Sequence, residues 1–309
     1  MRVLMLFLDG VGIGKKDPDV NPFLTARLPA LRSLFDGELP TLRNRRLSSR
    51  YALVFPLDST CGIPGLPQSG TGQTSLFTGE NGPGLIGKHF GPYPYSTLKP
   101  VIEEKNIFRR LLQAGKSPYF ANAFPQRFFD YAKLHKSRLT VTTLSCLYAG
   151  VPLLRAEDLR AGRGLSADIT NAGWRQLGYP DIAPIEPAEA GRRLARLTAN
   201  HDFVLFEYWK TDHAGHSQSM NEAIHVLEVF DSMLVGVIEG LDIQSTLLII
   251  TSDHGNIEDI STKSHTRNPV PVVLFGHRFD EVASLLQGSG RRPANLSKVT
   301  PALLRFLLP

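Results

Sequence analysis

The sequence predicts an α/β fold, a three-layer αβα sandwich assembled from the two ends of the chain with a cap domain inserted between them. Three observations lead there. The runs at 3–8, 203–208, 246–250 and 272–275 are apolar without polar alternation, as expected of strands buried on both faces. Three of these runs give way to an acidic residue, at Asp9, Asp212 and Asp253. Between them, Ile224, Val226, Leu227, Phe230, Met233, Leu234 and Val237 recur at helical spacing, which predicts an amphipathic helix lying on the sheet.

Taken in order, the run at 3–8 reads as the first core strand. Asp9 interrupts it and no small-residue cleavage site follows, so it is not read as a secretory signal. Gly10, Gly12 and Gly14 alternate and lead into polar sequence, unlike the G-x-G-x-x-G that opens a dinucleotide-binding helix. Helical spacing at 22–35 is broken by Pro29, and 51–55 reads as a short strand. The stretch from Pro64 to Gly79 is turn-rich and then small and polar, a loop delivering a hydroxyl to a helix start, where free N–H groups suit an anion.

Residues 86–195 differ in texture and read as the inserted cap, leaving 1–85 plus 196–309 as the core. Within the insert a helix is expected near 106–114, stopped by Gly115, and a β-like segment at Leu139–Leu144. Near the C-terminus, Thr300 is expected to cap a closing helix with Pro301 at its first position.

The 309 residues suffice for a full core. No apolar run approaches the ~20 residues that span a bilayer. Cys61 and Cys146 give no disulfide framework and suit a reducing cytoplasm. The net charge of +5 divides unevenly, as +2 over 1–85, +8 over 86–200 and −5 over 201–309. A basic middle facing an acidic, ligand-rich end would attract small anionic substrates, and the basic residues are too scattered for a nucleic-acid motif.

Asp212 and His216, four apart, can be aimed at one ion by a single helical turn. Asp253-His254 sits at a strand exit with His265 shortly after, and mixed Asp/His ligation suits Mn²⁺ or Zn²⁺ better than Ca²⁺. His89, His135, His201, His225 and His277 lack ligand-spaced partners and read as surface or structural.

These motifs resemble the alkaline phosphatase superfamily, specifically the branch of cofactor-independent phosphoglycerate mutase and phosphopentomutase. The resemblance rests on Asp9-Gly10-Val11-Gly12, Ser69-Gly70-Thr71-Gly72-Gln73, Asp212-His213-Ala214-Gly215-His216, Thr251-Ser252-Asp253-His254-Gly255-Asn256 and His265-Thr266-Arg267-Asn268. It implies an alkaline phosphatase-type sandwich holding two divalent ions, Mn²⁺ or Zn²⁺. One would be held by Asp9, Ser69, Asp253 and His254, and the other by Asp212, His216 and His265. It further implies Ser69 as a nucleophile that becomes phosphoserine, with Thr71 as the alternative, in a phosphatase or phosphomutase. Phosphodiesterase action and a non-catalytic metal-binding protein of the same fold are the other readings. The nucleophile loop ends Gly72-Gln73 where these mutases commonly have Gly-His, and Cys61-Gly62-Ile63-Pro64-Gly65 lacks the C-x-P-x-R of sulfatases. Candidate substrate contacts are Lys210, His213, Lys88, Arg127, Lys133 and Arg138.

Overall fold

In the computed structural model, residues 1–135, 138–288 and 293–308 are described. The strands in chain order are β1 (Arg2–Leu8), β2 (Leu47–Ser48), β3 (Ala52–Leu57), β4 (Pro118–Phe120), β5 (Asn122–Ala123), β6 (Leu165–Ser166), β7 (Phe203–Tyr208), β8 (Thr246–Thr251) and β9 (Val270–Gly276). The first helices are α1 (Pro29–Ser33), α2 (Ser69–Thr78), α3 (Gly82–Ile86), α4 (Lys99–Lys105), α5 (Ile107–Gln113) and α6 (Gln126–Leu134). They are followed by α7 (Val141–Ala149), α8 (Ala156–Arg160), α9 (Pro187–Thr198), α10 (Lys210–Ser217), α11 (Met220–Gly240), α12 (Phe279–Gln287) and α13 (Val299–Leu307).

One seven-stranded sheet runs β2-β3-β9-β8-β1-β7-β4. β8, β1, β7 and β4 are parallel, and β9 pairs antiparallel with both β8 and β3. Alternate residues of β1 feed different cores, which explains why the strand shows no polar alternation. Val3, Met5 and Phe7 join Phe77 of α2, Phe108 of α5 and Leu144 of α7 on one face. Leu4, Leu6 and Leu8 join Leu194 of α9 and Phe230 of α11 on the other. Each such fully buried side chain contributes ~1.5–3 kcal/mol, so β1 is a strong organiser of the sandwich.

Within 86–195, α4, α5, α7 and β4 contribute Ile102, Phe108, Leu144 and Phe120 to the first of these cores, while α9 contributes to the second. Ala123, Leu154, Ala156, Leu159, Trp174 and Ile182 form a smaller cluster of their own beside the β5–β6 pair.

Local expectations were met or shifted for identifiable reasons. Pro29 splits 22–35 into a 3-10 turn at Pro22–Leu24 and α1. Asn106 caps α5 through its side-chain oxygen, which accepts from Arg109 N at 2.9 Å. Leu139–Leu144 is not a strand. Thr140 caps a helix that starts at Val141, its Oγ1 accepting from Thr143 N at 3.3 Å, and local capping overrides the β-branched composition. Thr300 is not the cap of α13 either, because the 3-10 turn at Leu296–Lys298 runs straight into the helix. The Thr300 hydroxyl instead donates to the carbonyl of Leu76 at 2.7 Å, tying α13 to α2. Among the described residues, no helix is long and apolar enough to cross a membrane.

Candidate metal centre

The parallel register of β8, β1 and β7 brings their carboxyl ends level: Phe7 pairs with Thr251 on one side and with Glu207 on the other. The residues just past those ends converge, as ligands do at the strand ends of open α/β sheets. Asp9 follows β1, Asp253 and His254 follow β8, and α10 carries Asp212 and His216 past the end of β7. His265 comes from the loop before β9, and Ser69 is the first residue of α2. Gly10 keeps these loops close: its φ is +69°, and a Cβ there would lie 2.6 Å from Asp212 Oδ1.

His254 Nε2 is the meeting point of the first group. It lies 3.0 Å from Ser69 Oγ, 3.2 Å from Asp9 Oδ1 and 3.6 Å from Asp253 Oδ2. In the second group Asp212 Oδ2 is 3.3 Å from His216 Nε2, and Asp212 Oδ1 is 3.5 Å from His265 Nε2. The groups touch, since the His254 and His265 rings stack with centroids 3.8 Å apart. Ligand atoms of Asp212, His216 and His265 lie within 4.8 Å of one another, and so do those of Asp9, Asp212 and His254.

The proton inventory tests whether these residues fit cations. His265 Nδ1 donates to the Pro67 carbonyl at 2.8 Å, and His216 Nδ1 to the Lys263 carbonyl at 2.7 Å. A carbonyl only accepts, so in each neutral ring Nδ1 holds the proton and Nε2 presents a lone pair. Those two Nε2 atoms nevertheless face each other at 3.2 Å, beside the Asp212 carboxylate. Buried Asp9 Oδ1 and Asp253 Oδ2 also find no hydrogen-bond donor. A cluster of acceptors aimed at common points is the donor set of a divalent-cation site.

Burial and the crowding of charges in this cluster shift its protons: without a cation, Asp9 and His254 hold theirs while His265 does not. Burial, then the Asp253 charge, hold the Asp9 carboxyl well above the usual range. For His254, burial acts downward but the carboxylates of Asp253 and Asp9 overcome it, pushing the imidazole up to about 10. Burial and the neighbouring His254 charge push His265 down to about 4, keeping its Nε2 lone pair available.

Three residues brace this cluster: Gln73 and Asn256, which fall within the sequence motifs, and Glu258, which the sequence did not mark. Buried Glu258 accepts from Gly12 N and Asn256 N, both at 2.8 Å, and from Asn268 Nδ2 at 3.0 Å and the Thr266 hydroxyl. It therefore links the Asp9, His254 and His265 loops. Asn256 Nδ2 donates to Asp212 Oδ1 at 2.6 Å, and Gln73 Nε2 to Asp9 Oδ2 at 3.4 Å. A glutamate in a loop carries no periodic signal, so nothing in the local sequence marks Glu258 as buried. Gln73, where the mutases commonly have histidine, contacts a ligand-type carboxylate.

The remaining candidates separate. Thr71 is buried and its hydroxyl is engaged elsewhere, donating to Gln68 O at 3.1 Å and accepting from Phe90 N at 3.2 Å. A hollow of about 430 Å³ over Ser69 and Asp9 is also lined by His213, whose ring lies 3.4 Å from Glu222 Oε1. Lys210, Arg127 and Arg138 line an adjoining chamber of about 800 Å³. Lys88 lies over the rings of Phe90 and Tyr95, and Lys133 is exposed on α6; neither lines these cavities. Cys61 and Cys146 are free and buried.

Comparison with known proteins is consistent with this centre. The metalloenzyme superfamily model matches residues 186–308. A 2,3-bisphosphoglycerate-independent phosphoglycerate mutase of Pyrococcus abyssi is 30% identical over 163 residues, 47% of this chain and 39% of the relative. One from Antithamnion sp. is 30% identical over 113 residues, 35% of this chain and 21% of the relative. The chain thus spans between about a fifth and two fifths of the length of these curated relatives. The structure of the PH0037 protein from Pyrococcus horikoshii superposes with a TM-score of 0.59 at 14% identity, covering 99% of this chain and 96% of the other. Alkaline phosphatase from the Antarctic bacterium TAB5 gives 0.54 at 12% identity, covering 99% and 97%. The fold is therefore of the alkaline phosphatase type, and the part of it carrying Asp212, His216, Asp253, His254 and His265 matches the metalloenzyme superfamily.

Proposed function

We propose that this protein is a metal-dependent phosphoryl-transfer enzyme acting on a phosphate ester through a phosphoserine at Ser69. The observation that carries the reading is the Ser69 hydroxyl at a helix start, 3.0 Å from His254 Nε2, beside the convergent side chains of buried Asp9 and Asp253 and of Asp212. Relatives named phosphoglycerate mutase and neighbours named alkaline phosphatase support it.

Asp9, Ser69, Asp253 and His254 would hold one divalent ion, and Asp212, His216 and His265 the other. When bound, such ions lower the pKa of a coordinated hydroxyl and offset phosphoryl charge. Ser69 Oγ attacks phosphorus, an Oγ–P bond forms, and the bond from phosphorus to the ester oxygen breaks, releasing the alcohol. His254 fixes the Ser69 rotamer, and Gln73 and Glu258 hold the Asp9 loop. Water, or a second hydroxyl of the substrate, then takes the phosphoryl group from Ser69. Ser69 is preferred to Thr71 because the Thr71 hydroxyl is committed to Gln68 and Phe90. Within the segment 86–195, the small cluster around Trp174 is proposed to act as the substrate cap.

The test is a panel of phosphate esters with Mn²⁺ or Zn²⁺ supplied. Wild-type protein is expected to turn over at least one and to retain acid-stable phosphate, and Ser69→Ala to do neither while keeping its fold and the ion held by Asp212, His216 and His265. Near-normal turnover by Ser69→Ala would remove the serine from the reaction. Labelled phosphate appearing free rather than on a second organic position marks a phosphatase; the reverse marks a mutase.

A further inference from the structure

We infer that the 800 Å³ chamber receives the alcohol part of the ester, and that this part is a ring-sized body with an apolar face and a hydroxyl or amine that donates to Glu207. The inference rests on the phosphoryl-transfer reading for where the phosphate lies. The hollow over Ser69 and the chamber share Asp9, Thr140 and Trp209, so they adjoin. A phosphate against Ser69 therefore projects its organic part into the chamber.

Size argues against a small alcohol. At about 30 Å³ per water, the chamber has room for roughly 25 water molecules, within the range of sites that enclose ligands much larger than a three-carbon acid. The wall is aromatic: the Phe124 and Phe128 rings stack at 4.2 Å, and Trp174 belongs to the same lining. Flat apolar faces of this kind stack against the C–H face of a sugar or the plane of a base.

Arg127, Arg138 and Lys210 leave cationic groups on the wall for the phosphate end, while several of its other polar groups are committed. Trp174 Nε1 donates to Ser166 Oγ at 2.7 Å, and Asp168 accepts from Asn171 N at 2.9 Å and Gly173 N at 2.8 Å. Glu207 differs. Its backbone is pinned to Asn122 by two 2.8 Å hydrogen bonds and its Oε2 accepts from Thr142 Oγ1 at 2.6 Å. Yet among the described residues no donor meets Oε1, in a residue only 7% exposed that lines the chamber. A carboxyl oxygen held in place, without a protein donor and facing the chamber, favours a ligand that brings one.

The experiment uses the full-length, Mn²⁺-loaded protein with four esters: glycerol 3-phosphate, hexyl phosphate, a hexose phosphate and a nucleoside 5′-monophosphate. The expected result is kcat/KM at least about tenfold higher for a ring ester than for either other compound, with the sugar and nucleotide arms identifying the body. Equal or faster turnover of glycerol 3-phosphate overturns the inference and leaves phosphoryl transfer standing. If no ester is turned over, the phosphoryl-transfer reading falls, and equilibrium titration decides the chamber separately. Ring esters must then bind at least about tenfold tighter than glycerol 3-phosphate, or this inference falls too. Glu207→Gln is expected to raise KM, or Kd, for the preferred ring ester roughly tenfold while changing kcat little. Phe128→Ala, on the outer wall, gives the same readout without touching the buried carboxyl. Unchanged KM and Kd in both variants would overturn the assignment.

Discussion

Glu258 concentrates the cost of building the centre in one side chain. Its two oxygens serve donors from the loops that carry Asp9, His254 and His265, and it is fully buried. Glu258→Ala leaves those donors without acceptors, at ~1–3 kcal/mol for each that water does not reach. The variant is expected to unfold at lower denaturant and to bind divalent metal about 10–100-fold more weakly, the usual range for residues that orient ligands. Calorimetric titration of Mn²⁺ together with urea melts checks both. Glu207 gives a pH signature. Burial is the main cause that lifts its carboxyl from 4.5 to about 7, with the Thr142 hydrogen bond opposing and the Asp253 charge assisting. The folded state therefore holds the proton more tightly than the unfolded state between those values, and unfolding free energy falls as pH rises from 4.5 through 7. The fall is on the order of 3 kcal/mol. In metal-free protein Glu207→Gln should lose most of that slope; an unaltered slope in melts from pH 4 to 8 would refute it.

At the scale of elements, two contacts hold the layers of the sandwich together. The helices α9 and α11 meet where Gly236 lies against the backbone of Ala188 and Gly191 against Met233. A side chain at 236 would meet the Ala188 carbonyl, which cannot move without shifting α9. Gly236→Ala is expected to cost roughly 1–3 kcal/mol by overpacking, read from the urea midpoint, with activity per folded molecule retained. On the opposite face, Phe7 packs edge-on against Phe77 at 5.3 Å, joining β1 to the helix that starts at Ser69. Phe7→Ala should cost about 3–5 kcal/mol. Because Phe7 is two residues from Asp9, metal affinity should fall with it, which titration at a temperature where the variant remains folded will measure.

For the whole molecule, the proposed centre would draw its ligands from both ends of the chain: Asp9 and Ser69 from the first 70 residues, the rest from Asp212 onward. Metal binding should therefore report on the entire fold. Saturating metal at 100 times Kd is expected to add about 2.7 kcal/mol of stability per site, and excess chelator to remove it, seen as a shift of the thermal midpoint. His265→Ala, which takes a ligand from the second group only, is expected to reduce bound metal from two ions to one per chain, counted by elemental analysis. The basic residues of the middle third do not form one patch: Arg127 and Arg138 line the chamber beside Lys210 of the last third, while Lys88 and Lys133 lie outside it.

The sequence by itself determined the five longer strands, β1, β3, β7, β8 and β9, and the acidic residues that follow three of them. Continuous apolar runs commit a segment to burial on both faces, and an Asp or His at a strand exit stands out against such a run. Asp9, Asp212, Asp253 and His254 stand out in this way, and Ser69, His216 and His265 joined them as ligands through the family resemblance, before the register of β8, β1 and β7 placed them near one another. Tertiary structure alone decided what those residues lean on. Glu258, Asn256 and Glu207 are polar residues whose burial depends on loops more than 40 positions distant, and no local pattern encodes a partner that far away. The same holds for Leu139–Leu144, where a cap and its surroundings outweighed β-branched composition, and for Thr300, whose hydroxyl turned to Leu76 instead of its own helix. Propensity acts over a few residues, whereas the free energy that fixes these groups comes from packing across the sandwich.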